Sequence, residues 1–232
     1  NHFSWGQSVL IFGLTGSIGM GKTTAANAFR RLGVPVYDSD AMVHRLLGNE
    51  GGAVEAVAAA FPGVLRGGAV DRAKLGEFVF GRPDRLLVLE EILHPLVLDQ
   101  KNRFLSANSR RKSRYVVIDS PLLFETGGDV SCDITITVSA PDFIQERRVL
   151  SRPGMSKGRF NKILASQMPD YKKRALSDFV LLTGLGRIDS LRQIYKILLE
   201  ASDRQPRKWR PGMDKRKPTV SGVGNQSFDS NS

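Results

Sequence analysis

"VLIFGLTGSIGMGKTTAANAFRRLG", Val9 to Gly33, is the stretch on which the rest of the chain is read. Val9 to Phe12 form an apolar run of buried-strand type, and Ala26, Phe29 and Leu32 follow at helical spacing. Between them stand Gly16, four residues, then Gly21, Lys22 and Thr23, the G-x-x-x-x-G-K-[ST] pattern of a phosphate-cradling loop. Glycines reach backbone conformations closed to other residues and leave their amides bare, so several N–H groups can converge on one anion. Lys22 adds a point charge near the β- and γ-phosphates, and the Thr23 hydroxyl can bind Mg²⁺. Strand, loop and helix in that order deliver a phosphate to a helix N-terminus, where free amides and the helix dipole favour negative charge. The expectation is a nucleoside triphosphate site.

The 232 residues suffice for one α/β domain with an inserted subdomain. No apolar run approaches the length of a membrane span, and "NHFSWGQS" has neither the basic start nor the apolar stretch of a secretory signal. The first residue is not Met, which leaves room for an upstream segment. One cysteine, Cys132, cannot form an internal disulfide, and this suits a reducing compartment. The expected location is the cytoplasm, with an organelle left open.

The net charge of +11 raises a nucleic-acid reading, so its placement matters. Arg147 to Arg174 hold nine Lys/Arg against one acid, Asp170, and residues 202–232 hold seven against three. The second block is rich in Pro, Gly, Ser and Asn and reads as a disordered, solvated tail too polar to contribute to a core. The first block fits two helices. "SAPDFIQERRVLSR" has Pro141 in its first turn and Arg148 and Arg152 four apart on one face, and Ser156 can cap "KGRFNKILASQM". Such a pair can act as a lid that closes over triphosphate and offsets charge in the transition state; a solvated basic face is the other reading.

Apolar runs alternating with helical stretches predict a parallel sheet covered on both faces. Strands are expected at 9–13, 34–37, 115–119 and 134–138, with a weaker candidate at 179–182. Helices are expected at 22–32, 40–48, 52–60, 72–80, 84–106, 141–152, 157–167 and 189–201. The stretch from 50 to 106 reads as helical without a strand, an inserted subdomain beside the sheet. The second strand runs into "DSD", Asp38 to Asp40, at the strand end where open α/β sheets bind ligands. Asp38 or Ser39 can cap the following helix, which leaves a second carboxylate to orient a phosphoryl acceptor or accept its proton. Asp119, ending "YVVID", is either a Walker B type acid near Mg²⁺ or a plain turn acid.

With these pieces in place the chain resembles the dephospho-CoA kinase family from about residue 9 to 200, leaving 202–232 as a basic tail outside the match. "GLTGSIGMGKTT" is shared with many kinases, but "DSDAMVHRLL", "ILHPLV" and "PLLFETG" in that order are particular to the family. The resemblance implies a P-loop kinase fold with an acceptor-binding helical insert at about 50–106 and a lid at about 141–170. It implies ATP with Mg²⁺ as cofactors and transfer of the γ-phosphate to the ribose 3′-hydroxyl of dephospho-CoA. It puts the ATP loop on Gly16, Ser17, Ile18, Gly19, Met20, Gly21, Lys22, Thr23 and Thr24, the catalytic aspartate on Asp40, and the lid arginines on Arg148, as a catalytic residue, and Arg152. It assigns acceptor contacts to Arg72 and to His94 in the "HP" step with Pro95, and Asp38 and Glu125 join them as acceptor-side candidates. The chain departs from the family at Pro153, where an Asp is usual, and at "SDFVLLTG", Ser177 to Gly184, where the family tends to read A-D-x-V-I-x-N; the lid turn and the adenine-side contacts near Thr183 carry over least.

Two other readings compete. A kinase for a smaller nucleotide or sugar acceptor is disfavoured by the size of the insert. A GTP switch lacks its base-reading motif, since "NKIL" has no acid, and a nucleic-acid-dependent NTPase is disfavoured because the excess charge sits in the lid and the tail.

Overall fold

The computed structural model describes residues 7–211. Five parallel strands form the sheet: β1 (Leu10–Thr15), β2 (Val36–Asp38), β5 (Tyr115–Asp119), β6 (Ile134–Ser139) and β7 (Phe179–Leu182), in the spatial order β2-β5-β1-β6-β7. All five were expected, within two residues at each end. Alternation sorts their side chains between two cores. Leu10, Phe12, Leu14, Val117, Ile134, Ile136 and Val138 pack under α1 (Lys22–Arg31) and α9 (Arg187–Glu200). Val9, Ile11, Val116 and Ile118 face the other way.

That second core continues into the insert. Met42 and Leu46 of α2 (Ser39–Leu47), Val57 of α3 (Val54–Ala60), Leu75 of α4 (Arg72–Val79) and Leu89 of α5 (Pro83–Arg110) belong to one cluster with the sheet. Phe61 meets Phe78 edge to face at 6.0 Å. Pro95 lies inside the 28-residue α5 and removes one rung of its hydrogen-bond ladder without ending it. The insert is not free of strand: β3 (Leu65–Arg66) and β4 (Ala69–Val70) pair antiparallel around Gly67 and Gly68, at φ +58° and +83°. Consecutive glycines in that conformation make the tight turn of a two-residue hairpin.

The two helices expected as a lid are α6 (Asp142–Leu150) and α7 (Lys157–Ala165), the second capped by Ser156, whose Oγ accepts from Arg159 N. An additional helix, α8 (Asp170–Leu176), was not anticipated, because seven residues reading "DYKKRAL" show no apolar stripe. What it buries is Lys173, fully inaccessible. Its neighbour is the polar face of β6: Thr137 Oγ1 donates to Lys173 O, and Ser139 Oγ donates to Asp170 Oδ2 at 2.8 Å. Among the described residues no helix is long and apolar enough to cross a membrane.

The C-terminal stretch corrects the expectation of a solvated tail as far as residue 211. Asp133, just before β6, accepts from Ile11 N with one oxygen and from Arg207 N and Lys208 N with the other. This clamp delivers Trp209 to the core beside Ile11 and Leu105, where it is 5% exposed. One aromatic residue outweighs the polarity around it. The rest of the expected tail lies outside the described residues. Trp209→Ala is expected to cost about 3 kcal/mol, the low end for a buried tryptophan, and to lower Tm by roughly 6–12 °C. Thermal unfolding followed by circular dichroism checks this, and a shift below about 2 °C would show that the segment adds nothing to stability.

Candidate active site

The phosphate loop leaves β1 at Thr15 and enters α1 at Lys22. Two glycines are demanded by close packing. A Cβ on Gly16 would lie 2.7 Å from Val138 O, and Gly21, at φ +95°, caps α1 with its Cα against Thr183, where a Cβ would lie 2.8 Å from the hydroxyl oxygen. The carbonyl oxygens from Ser17 to Gly21 are all engaged. Ser17 O accepts from Met20 N, Ile18 O from Gln145 Nε2 at 2.8 Å, Gly19 O from Arg148 Nη1 at 3.4 Å, Met20 O from Thr183 Oγ1, and Gly21 O from Ala25 N. With these acceptors satisfied, the loop leaves the amides of Ser17, Gly19 and Gly21, and those that open α1, free for an anion, while Ile18 N is given to Gln167 Oε1 and Met20 N to Ser17 O.

Those groups face a cleft of about 620 Å³. Gly16 to Gly19 and Gly21 to Thr24 line it, with Asp40, Pro121, Arg148, Arg152, Ile163, Gln167, Thr183 and Arg187. Met20 is instead buried, and Ala140 N donates to its sulfur. Lys22 Nζ is 2.7 Å from Asp119 Oδ1. Strand register places Leu14 beside Asp119 and Asp119 beside Asp38, so both acids stand at the carboxyl edge of the sheet next to the loop. Burial pushes the Asp119 carboxyl up, the Lys22 charge and hydrogen bond pull it down, and the nearby Asp38 raises it again, with a net upward shift.

"DSD" divides its labour. Asp38 caps α2, its Oδ1 accepting from Ala41 N at 2.9 Å. Asp40, in the first turn, is the acid of the pair that lines the cleft. His44, one turn further along α2, contacts Arg72 at the start of α4. His44 was not singled out from sequence, although its spacing of four from Asp40 puts both on one helix face. Arg72 and His94 are exposed on the insert and do not line the cleft, and neither does Glu125. Glu125 Oε1 accepts from Met168 N at 2.8 Å and pairs with Lys173 at 2.9 Å. Burial raises that carboxyl, but the bonds from Lys173 and Met168 N outweigh it and hold it below the ordinary range.

The two lid arginines are in different states. Arg148 donates through Nη1 to Thr183 Oγ1 at 3.0 Å and through Nη2 to Thr183 O at 2.8 Å. Arg152 lines the same cleft with no side-chain hydrogen bond or ion pair among the described residues. Thr183, within the stretch that departs from the family's pattern, is the residue that holds Arg148 and braces Met20. No group of three or more His, Cys, Asp or Glu side chains among the described residues forms a metal cage. The oxygen donors at the loop, the Thr23 hydroxyl and the nearby carboxylates, fit Mg²⁺ bound chiefly through phosphates.

Comparison with known proteins agrees with this geometry. The sequence pattern of the dephospho-CoA kinase family matches residues 10–186. A dephospho-CoA kinase of Rhodospirillum rubrum is 50% identical over 211 residues, which cover 90% of this chain and 99% of that one. One of Paramagnetospirillum magneticum is 58% identical over 164 residues, 71% of this chain and 77% of that one. Among solved structures, a Thermus thermophilus protein superposes with a TM-score of 0.74 at 34% identity, covering 86% of this chain and all of that one. The dephospho-CoA kinase of Campylobacter jejuni, at 21% identity and a TM-score of 0.54 over 82% of this chain and 96% of its own, shares the fold. A loop with bare amides, a lysine held on a strand-end acid, a free aspartate across the cleft and a match over most of its length together show that this chain belongs to the dephospho-CoA kinase family.

Proposed function

We propose that the chain transfers the γ-phosphoryl group of ATP to the ribose 3′-hydroxyl of dephospho-CoA, the reaction that completes coenzyme A. The observation that carries this reading is one cleft with the phosphate loop and Lys22 on one wall and Asp40 on the edge that borders the insert. Lys22 would leave Asp119 for the phosphates, exchanging one anion for another. Asp40 would orient the acceptor hydroxyl and take its proton as the oxygen–phosphorus bond forms and ADP leaves. Mg²⁺, held by Thr23 and the phosphates with Asp119 close by, would neutralise part of the triphosphate charge. Arg148, tied to Thr183, would shape the loop and the nucleotide's base end, while Arg152 would be the cation available to the transferring group. Arg72 and His94 would hold the remainder of the acceptor on the insert, and His44 joins them through Arg72. The test is ADP formation with dephospho-CoA as the sole acceptor and coenzyme A identified as product. ADP formed equally without dephospho-CoA, or only with polynucleotide, would refute the reading.

Three variants probe the division of roles. Lys22→Ala is expected to fold and to lose at least about 10²-fold in kcat; turnover within about tenfold of the wild type would remove the loop assignment. Asp40→Asn should lose about 10²- to 10⁴-fold in kcat with ATP affinity little changed, whereas Asp38→Ala should cost about 1 kcal/mol of stability through its lost cap and much less rate. The reverse pattern in steady-state kinetics and thermal melts would exchange the two acids. Arg152→Ala should lower kcat by about 10²-fold, and Arg148→Ala should raise the KM for ATP and lower Tm because it leaves Gly19 O and Thr183 O without their donor.

A further inference from the structure

Two glutamines bracket one residue of the phosphate loop. Gln145, on α6 and 5% exposed, spends its Nε2 on Ile18 O. Gln167, just beyond α7, accepts from Ile18 N through Oε1 at 3.0 Å. A backbone amide can only donate, so this contact fixes which way the Gln167 carboxamide faces: oxygen on the loop, NH₂ away from it. That NH₂ group carries two donors, and among the described residues no protein acceptor meets it. Gln167 lines the cleft with Lys22, Asp40 and Arg152; Gln145 does not.

The post that carries Gln167 is rooted in the core. Met168 N is held by Glu125, Glu125 is paired with Lys173, and the buried Lys173 ammonium also donates to Pro121 O at 2.6 Å and to Thr15 Oγ1 at 3.4 Å. The loop strand, the segment after β5 and α8 therefore all fix the residue next to Gln167. Gln167 lines the cleft together with Pro121 and Ile163, and Met168 beside it is held by Glu125 from the segment after β5, the strand whose Asp119 pairs with Lys22.

We propose that Gln167 is a substrate-contacting residue for the kinase reaction, its Nε2 donating to the γ-phosphoryl group of ATP while its Oε1 stays on Ile18 N. The inference rests on the kinase reading above. A neutral carboxamide adds no charge to a site that already has Lys22 and Arg152; it adds a donor in a set direction. This explains why the loop surrenders one of its own amides to a side chain. The amide is exchanged for a donor placed further out.

The experiment measures dissociation constants for ADP and for a non-hydrolysable ATP analogue, together with kcat on dephospho-CoA, in the wild type, Gln167→Glu and Gln167→Ala. Gln167→Glu keeps an acceptor on Ile18 N and turns an oxygen to the phosphates. It is expected to lower kcat at least about 100-fold and to weaken the analogue at least about tenfold relative to ADP. A side chain that merely tethers the loop would leave Gln167→Glu active, or would make both nucleotides weaken together, and either result overturns the proposal. Should Gln167→Glu fail to fold, the ratio of analogue to ADP affinity in Gln167→Ala decides: a fall of about tenfold supports the contact and an unchanged ratio overturns it. A wild type that bound neither nucleotide would remove the kinase reading itself, a failure distinct from one confined to Gln167.

Discussion

The structure depends on how the carbonyl oxygens of the phosphate loop are satisfied. A loop that presents bare amides to an anion has to point its carbonyls the opposite way, and carbonyls turned into protein need donors. Here Gln145, Arg148 and Thr183 supply them, from two elements that follow the loop by more than 120 residues. These donors bring the lid and the β7 end against the loop, and they hold its peptide planes before any ligand arrives. Helices α6 and α7, the pair expected to act as a lid, therefore contribute both to the lining of the cleft and to the framework that shapes it. This double duty accounts for the different states of their two arginines: Arg148 is committed to the framework and Arg152 is left to the cleft.

The acids at the sheet edge are arranged by a similar economy. Asp119 is 3% exposed, and its ionised form is tolerable because Lys22 sits on it. Lys22 in turn has Asp119 as its anionic partner. Asp38 satisfies the start of α2, and Asp40, one turn position later, is released from that work. Three carboxylates within a few residues of the same edge thus meet three different environments, and environment sets what each can do.

What the sequence discloses and what it conceals follow the range of the forces involved. The strands and most helices are legible because apolar periodicity is local, and the loop motif is legible because its glycines and lysine fall at fixed spacing in one short stretch, although the close contacts that demand Gly16 and Gly21 come from the distant Val138 and Thr183. The split of Asp38 and Asp40 was foreseeable as capping chemistry, since a cap and its helix are neighbours in sequence. Glu125 was read as an acceptor contact, but its partners are Lys173 and Met168 N, more than 40 residues downstream. Gln145 and Gln167 carry no sequence signal of their own, because a glutamine that bonds a remote carbonyl or amide looks like any glutamine on a helix surface. The hairpin of the insert could have been found from "RGGA", two consecutive glycines between short runs. Helix α8 could not be found by periodicity, since its buried residue is a lysine. Trp209 was hidden by composition, which averages one anchoring ring with the polar residues around it.

Asp133 sits at the amino ends of the strands, across the sheet from the cleft, and there it joins the start of β1 to the segment that buries Trp209. Durability is secured at one rim of the sheet and chemistry at the other. Sequence drift at the Asp133 rim can change how much folded protein a cell maintains without altering the reaction it performs. The two rims are thus open to separate selection, and a lineage adapting to heat or to faster proteolysis has a place to change that leaves the phosphate loop untouched.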